Sequence, residues 1–174
     1  EPTDFTITTS QTNLICFGSA NGIATVNVNG ATPSYTYSWN TVPIQTVPSI
    51  TGISAGTYTC TITDSSLCDT TVSVTISQPN QLTFTTNTSD VTCFGGSDGS
   101  ATVNILSGGN TPFSYQWNTA PVQTTSNATG ISAGTYTCTI TYNGICDTTV
   151  SVTIIQPNQL TFTTNTSDVT CFGG

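Results

Sequence analysis

The residues of this chain with the clearest chemistry are its cysteines. Seven occur in 174 residues, and thiol pairs of this kind are oxidised to disulfides in secreted and surface proteins, whereas cytosolic thiols stay reduced. A zinc site would need Cys-x-x-Cys pairs or histidines, and the sequence has neither. The cysteines therefore predict structural disulfides in an oxidising compartment. They are Cys16, Cys60, Cys68, Cys93, Cys138, Cys146 and Cys171.

The strands that position these cysteines can be read from alternation. Apolar side chains along 135–154 fall on even numbers on both sides of one turn. Paired residues of an antiparallel ladder share a face, so both sets reach one core only if the loop has an odd number of residues. We expect a three-residue loop with a bulge around Asn143 and Gly144. The alternating residues are Tyr136, Cys138, Ile140, Val150, Val152 and Ile154.

This register limits the pairing of the cysteines. Cys138 lies opposite residue 148 or 150, so its Cα atom is too far from that of Cys146 for a disulfide. By elimination Cys16 pairs with Cys68 or with Cys60. In the second half Cys93 pairs with Cys146 or with Cys138. We favour Cys16–Cys68 and Cys93–Cys146 and expect core thiols at Cys60 and Cys138.

Other chemistry is sparse. The chain has no histidine, lysine or arginine, so a Ser or Cys nucleophile would have no general base, and we expect no enzyme. No cofactor is expected either, apart from the weak calcium candidates Asp90 and Asp98, which flank Cys93. Carboxylate oxygens with nearby carbonyls can ligate Ca²⁺, but such residues more often close turns.

Two threonines are candidate modification sites. Asp-Thr-Thr occurs at 69–71 and 147–149 and resembles the O-glycosylation signal of Bacteroidota, with Thr70 and Thr148 as acceptors. Their parity with the neighbouring valines instead favours ordinary strand threonines. Asn-x-Ser/Thr triplets at Asn87, Asn127 and Asn165 are expected by chance in a threonine-rich chain.

Composition excludes whole classes of partner. Eight acidic residues and no cation give a net charge of −8. Nucleic acids and anionic lipid headgroups are bound through Lys and Arg, so neither is an expected partner. No apolar run reaches about 18 residues, so we expect no membrane insertion. Solubility based on Thr, Ser and Asn suits an extracellular or cell-surface location.

An internal repeat sets the domain organisation. Residues 78–96 recur letter for letter at 156–174, and GISAGTYTCTIT at 52–63 recurs at 130–141. A unit of about 78 residues made of short alternating strands predicts tandem all-β, immunoglobulin-like β-sandwiches with almost no helix. We place the first repeat at 1–77, the second at 78–155, and the first strand or strands of a truncated third at 156–174.

The segments between repeats are short. Gln-Pro-Asn joins each last strand to the next first strand, and proline restricts both its own φ and its neighbour. We expect neighbouring repeats to be each other's main partners in a semi-rigid rod. The alternative is that each first strand completes the preceding sandwich by β-augmentation, which would also order residues 157–174.

Two family resemblances follow from the motifs. AGTYTC with an upstream Trp39 resembles the tyrosine corner and core of immunoglobulin domains. Over almost the whole chain, the order Cys93, SDGSATVNI, SGGNTP, SYQW, ISAGTYTCTIT, NGIC and TTVSVTIIQP resembles the SprB repeats of secreted Bacteroidota surface proteins. Cys60 and Cys138 stand where that family usually has an aliphatic residue.

The SprB resemblance implies a function. It implies a stalk segment of a long cell-surface adhesin or filament, exported by the type IX system and used in attachment or gliding motility. The alternative is a module in which each repeat presents a loop, at 29–34 and 106–113, to an extracellular polysaccharide or surface. Near-identity of the copies favours the stalk.

Overall fold

The computed structural model describes residues 6–30 and 32–166, and they form twelve β-strands with no helix. The first copy of the repeat contains β1 (Thr6–Thr12), β2 (Gly22–Asn29), β3 (Thr36–Trp39), β4 (Ser49–Ile53), β5 (Gly56–Thr63) and β6 (Asp69–Ile76). The second contains β7 (Thr83–Ser89), β8 (Gly99–Ser107), β9 (Phe113–Trp117), β10 (Asn127–Ile131), β11 (Gly134–Tyr142) and β12 (Cys146–Ile154).

Each copy builds the same pair of three-stranded sheets. In the first copy the strand orders are β1-β2-β4 and β3-β5-β6, and in the second they are β7-β8-β10 and β9-β11-β12. In each copy one sheet thus contains the first, second and fourth strands, and the other contains the third, fifth and sixth. This distribution of strands between two sheets is that of the immunoglobulin sandwich. The predicted all-β, immunoglobulin-like fold is confirmed.

The first strand of the second copy pairs within its own copy. β7 hydrogen-bonds to β8, and the described tail at 155–166 forms no strand. The β-augmentation alternative is therefore wrong for β7. The same alternative predicted that residues 157–174 are ordered. Of these, residues 167–174 lie outside the described part of the chain.

The core of the first copy is closed by alternating side chains from both sheets. Ala24, Val26 and Ile50 from one sheet pack with Trp39 and Ile62 from the other, and all five are fully buried. The Trp39 indole N–H donates to the carbonyl of Val47 at 2.8 Å, which satisfies its polar atom inside the sandwich. Large aromatic and β-branched side chains thus supply most of the apolar area that these small sheets can bury.

The corner between the fourth and fifth strands is fixed by a tyrosine. The Tyr58 hydroxyl donates to the carbonyl of Ser54 at 3.0 Å. In the second copy Tyr136 donates to Ser132 at the same distance. This is the tyrosine corner that the AGTYTC motif predicts.

Two cysteines fill the core as predicted. Cys60 and Cys138 are fully buried and unpaired, and Cys60 lies directly opposite Trp39 on one side and Val72 on the other. Burial raises the pKa of both thiols, because a thiolate would lose its hydration there. The expectation of core thiols at these positions is confirmed.

The last hairpins of the two copies differ in their loops. In the second copy, three residues separate β11 from β12, with left-handed φ at Asn143 and Gly144, so the predicted odd loop is confirmed. In the first copy, five residues separate β5 from β6. There the Asp64 carboxylate accepts backbone N–H groups of Ser66 at 2.8 Å and Cys68 at 2.9 Å.

The Asp64 carboxylate also reaches the loop after β2. It accepts the backbone N–H of Thr32 at 3.2 Å. These bonds, with that from Cys68 the strongest, lower the pKa of Asp64, because each donor favours the charged form. Tyr142 occupies the equivalent position in the second copy.

The chain forms two compact units in space. The first comprises Glu1–Thr85, Ile105–Phe113 and Thr141–Thr148, and the second comprises Thr86–Asn104, Ser114–Ile140 and Thr149–Gly174. The first unit therefore includes the first copy together with two segments of the second. The repeat boundaries at 1–77, 78–155 and 156–174 stay a prediction from the sequence.

Replacing Asp64 by Asn should reduce the loss of melting temperature that the protein shows as the pH falls below about 4. The unfolded pKa of Asp is about 3.9 and the folded pKa is lower, so the carboxylate stabilises fully above about pH 4 and loses this contribution as the pH falls through the folded value. D64N should melt below the wild type near pH 7 and converge with it near pH 2, in thermal melts followed by circular dichroism. D69N, which removes an exposed carboxyl of the same charge, controls for net charge. A constant gap between D64N and wild type at every pH would contradict this role.

The core thiols should tolerate an apolar substitute better than a polar one. Cys60→Val should cost less than about 1.5 kcal/mol of unfolding free energy, because volume and polarity are nearly kept. Cys60→Ser should cost about 1–3 kcal/mol through the buried hydroxyl. Urea unfolding measures the free energy of both variants.

In native protein, iodoacetamide should leave Cys60 and Cys138 unlabelled, as checked by mass spectrometry. Rapid labelling would show that these thiols are accessible.

Candidate functional site

The first compact unit contains a junction between the two copies of the repeat. We define the junction as residues 15–18, the linker 78–82, the loop 106–113 and the hairpin 142–146, all of which belong to that unit. It brings together a disulfide, a linker and a loop from different parts of the sequence. It is the candidate functional site because its contacts determine how one copy is connected to the next.

A disulfide joins the two copies at this junction. Cys16 bonds to Cys146, with Cα atoms 5.6 Å apart and 130 residues between them in the sequence. That Cα separation is in the usual range for a disulfide. Cys68 and Cys93 remain unpaired and exposed. The predicted pairs Cys16–Cys68 and Cys93–Cys146 are therefore wrong.

The length of β6 explains why Cys16 cannot reach Cys68. Leu14 donates its N–H to the carbonyl of Ser77 at 3.0 Å, so the Cys16 loop lies where β6 ends. Cys68 lies just before the start of β6, which is eight residues long. Eight residues of extended strand span about 26 Å, several times the Cα separation of a disulfide.

The second copy repeats this geometry. Val91 donates its N–H to the carbonyl of Ile155 at 3.1 Å, which places the Cys93 loop after the end of β12. Cys146 is the first residue of that nine-residue strand, about 30 Å away. The prediction assumed that the partners lie within one copy, whereas each copy carries these two cysteines at opposite ends.

Hydrogen bonds surround the disulfide. The side-chain amide of Asn143 donates to the carbonyl of Ile15 at 3.2 Å, directly beside Cys16. The backbone N–H of Asn143 donates to the carbonyl of Asn110 at 3.1 Å. The hairpin that carries Cys146 is thus held both to the Cys16 loop and to the loop 106–113.

The linker is attached on both of its sides. The Gln78 side-chain carbonyl accepts the N–H of Gly18 at 2.9 Å, and the carbonyl of Asn80 accepts the N–H of Gly109 at 3.5 Å. Leu82, at the end of the linker, is buried. A linker with backbone and side-chain contacts at successive residues has lost most of its conformational freedom.

Gly108 allows the loop 106–113 to approach the linker. A Cβ atom at Gly108 would lie 1.9 Å from the carbonyl oxygen of Gln81, and the φ of Gly108 is +76°. Both the space and the backbone conformation therefore require glycine. The extra residue of this loop relative to the first copy places it against the linker.

The loop 106–113 was predicted to be a surface loop, and it is where a binding module would present its ligand contacts. Most of its residues are exposed, as predicted, and the loop also takes part in the junction through Gly109. In the first copy the corresponding loop is held by the Asp64 carboxylate through Thr32, whereas the second copy has Tyr142 in place of that aspartate. The combined change in loop length and in this residue was the available sequence signal, and it was missed.

The calcium candidates help to close the Cys93 loop. Asp98 accepts the Thr92 hydroxyl at 2.6 Å and the Thr92 N–H at 3.1 Å, and these bonds lower its pKa, the hydroxyl most. Asp90 accepts the N–H of Ile155 at 2.9 Å. The described residues contain no group of three or more carboxylates, cysteines or histidines near enough to hold a metal. Calcium binding stays an untested hypothesis.

The candidate glycosylation sites lie in strands. Thr70 and Thr148 are half-buried on β6 and β12, on the face of the neighbouring half-buried valines, as their parity predicts. Asn87 and Asn127 are exposed strand residues, and Asn165 is exposed in the tail. O-glycosylation of Thr70 and Thr148 stays a hypothesis, and the asparagine triplets stay interpreted as chance occurrences.

Each copy carries a groove beside its tyrosine corner. In the second copy the groove has a volume of about 530 Å³ and includes Asn118, Gln123 and Tyr136. In the first copy it has about 430 Å³ and includes Asn40 and Tyr58. The lining residues are uncharged, so the groove offers hydrogen bonds and ring faces but no acid or base.

No curated protein matches the sequence significantly. Among solved structures, the amphioxus IgVJ-C2 molecule is similar, with 15% identity over 84% of this chain and 95% of that chain and a TM-score of 0.32. No helix in the described part of the chain is both long and apolar enough to cross a bilayer.

The family comparison concerns two segments of the sequence. The model of the SprB repeat matches residues 8–43 and 85–122. The two segments are equivalent in the internal repeat, and each contains the first cysteine, the second strand and the Trp strand of its copy. The SprB repeat model therefore matches this chain in two places, in segments that carry motifs of the resemblance described above.

Proposed function

We propose that this chain is a stalk segment of a long cell-surface adhesin or filament, in which SprB repeats are joined into a semi-rigid rod. The observation that carries the proposal is the double connection at the junction. One connection is the linker 78–82, and the other is the Cys16–Cys146 disulfide. Two attachment points oppose bending about either one, which a single flexible linker would permit.

The chemistry of the chain supports an extracellular stalk. SprB repeats are typically found on the cell surface, and a structural disulfide is stable in an oxidising environment. In the chain-entropy model, a crosslink between residues 130 apart stabilises by about 5 kcal/mol. A stalk outside the cell would keep such a crosslink, because the reductants of the cytosol do not act there.

Attachment and gliding motility are the roles that we propose for the rod. A stalk of this kind would set the distance between a cell anchor and a terminal adhesive domain. The candidate loop for direct ligand contact, 106–113, packs at the linker through Gly109. This location favours the stalk over a module that presents that loop to a ligand.

Removing the disulfide should uncouple the two copies. In the C16S/C146S variant, ¹⁵N relaxation should give shorter rotational correlation times for both copies than in the wild type, because only the linker then connects them. Small-angle X-ray scattering should show a broader distribution of interatomic distances. C68S makes the same chemical change at the equivalent hairpin position, where no disulfide exists, and should behave as wild type. Equal correlation times in all three proteins would contradict the proposed brace.

Replacing Gly108 should loosen the linker without touching the disulfide. Gly95, which lies outside the junction, is a matched control, because its φ is +73° and a Cβ there would meet nothing within 4 Å. G95A should cost about 1–2 kcal/mol of unfolding free energy from backbone strain alone. G108A adds a backbone clash with Gln81 and should cost more in urea unfolding. It should also raise the amide mobility of 78–82. Equal effects of the two substitutions would show that the approach of this loop to the linker is unimportant.

A further inference from the structure

The two exposed thiols, Cys68 and Cys93, occupy the positions of the two cysteines that are bonded. Cys93 is the copy of Cys16, and Cys68 is the copy of Cys146. Both are unpaired. Among the residues that the structure describes, there is one closed junction, and Cys68 and Cys93 are the two separate halves of a second one.

The Cys93 loop already has the conformation of the bonded Cys16 loop. Gly95 donates its N–H to the Gln156 side chain at 2.9 Å, as Gly18 does to Gln78 at 2.9 Å. The φ of Gly95 is +73° and that of Gly18 is +72°. The loop therefore needs no rearrangement to accept a partner cysteine.

The Cys68 hairpin is also ordered. The Asp64 carboxylate accepts the N–H of Cys68 at 2.9 Å, and the N–H of Asp64 donates to the carbonyl of Cys68 at 2.9 Å. Ser65 takes the position of Asn143, so a side-chain donor is retained next to the cysteine. The hairpin is therefore ordered, although its loop has five residues and is closed by Asp64, whereas the loop before Cys146 has three.

Exposure distinguishes the closed junction from the open halves. Cys146 is 3% exposed, whereas Cys68 is an exposed residue. Ile145 is 63% exposed and its copy Leu67 is 84% exposed. On the other side Phe17 is 40% exposed and its copy Phe94 is 50% exposed. The open halves therefore present apolar surface that the closed junction partly covers.

We propose that Cys93 of one chain forms a disulfide with Cys68 of a second copy of this chain, which joins the copies end to end. This inference rests on the proposed function, because it takes the Cys16–Cys146 junction as its template. The contact is heterologous: one chain supplies a loop and the other a hairpin, so the joined pair still carries one free half at each end. Growth can therefore continue.

The chemistry is thiol–disulfide exchange. A small-molecule disulfide such as oxidised glutathione is the oxidant. The thiolate of one cysteine attacks it, which forms a mixed disulfide and releases one glutathione thiolate. The second thiolate then attacks the protein sulfur and releases the other. The two cysteines lose two protons and two electrons in total, and one oxidised glutathione becomes two reduced molecules.

Charge sets a condition on this reaction. The closed junction has Asn13 and Asn21 on the loop side, whereas the Cys93 loop has Asp90 and Asp98 at these positions. The hairpin side adds Asp64. Like charges on the two halves repel, and salt screens them, with a Debye length of about 3 Å near 1 M ionic strength. Joining should therefore be faster at high salt.

The test uses two complementary variants in a C171S background, so that Cys171 does not compete. C68S/C171S keeps only the Cys93 half, and C93S/C171S keeps only the Cys68 half. Each variant is incubated alone and in an equimolar mixture with glutathione redox buffer in about 1 M NaCl. Non-reducing electrophoresis measures the fraction of dimer. The bonded cysteines are identified from peptide masses after digestion with chymotrypsin, since trypsin has no Lys or Arg at which to cleave this chain.

The mixture should give a dimer that contains the Cys68–Cys93 peptide, at least about tenfold more abundant than the homodimers of either variant alone. The yield should fall at low salt. If homodimers form as readily as the mixed dimer, the surface thiols are oxidised without selectivity, and the proposal is overturned. The absence of any dimer would also overturn it. The Cys16–Cys146 peptide is measured in the same digest. Its presence without a mixed dimer would leave the proposed stalk function intact, and its absence would overturn both.

Discussion

The length of a β-strand is the constraint on which the connection between the copies depends. In each copy the first cysteine lies, in space, beside the end of the last strand. The hairpin cysteine lies at the start of that strand or just before it. The sulfur atoms are therefore separated by the full span of β6 or β12, about 26 to 30 Å. A disulfide between them inside one sandwich is impossible. Each copy is left with one reactive group at each end, and the bond Cys16–Cys146 joins one copy to the other.

The linker and the disulfide act together because they meet in one compact unit. A short proline-containing linker limits the distance between neighbouring copies, but it does not fix their orientation. The hydrogen bonds from Gly18 to Gln78 and from Gly109 to Asn80 hold the linker to both copies. The disulfide adds a covalent attachment away from it. The side-chain amide of Asn143 donates to the carbonyl of Ile15 beside that attachment, so covalent and non-covalent contacts occur at the same place.

Much of the fold could be predicted from local sequence, and the pairing of the cysteines could not. Alternation predicted the strands and the three-residue loop at Asn143, and the motif AGTYTC predicted the tyrosine corner at Tyr58. These features depend on neighbouring residues and on one core. The pairing depends on which end of a strand a cysteine occupies and on which copy faces it. The parity of the strand residues correctly excluded a disulfide between Cys138 and Cys146. Parity within one hairpin gives no information about a partner in another copy. The contact of the loop 106–113 with the linker was not predicted for the same reason, because it depends on which segments meet there.

Some of the differences between the two copies lie where the copies meet. At the closed junction the loop side has the neutral residues Asn13 and Asn21, and the hairpin has Tyr142 in place of Asp64. A chain without a single cation has no opposite charge with which to neutralise a carboxylate at a contact, and a charge removed from water without a partner is costly. Neutral residues at the closed faces avoid this cost. The carboxylates at the other faces close local loops by accepting backbone N–H groups, Asp90 from Ile155 and Asp64 from Cys68. Asp90 is exposed to water, whereas Asp64 is only 5% exposed and depends on its N–H donors. At these faces the copies therefore differ according to what each face contacts.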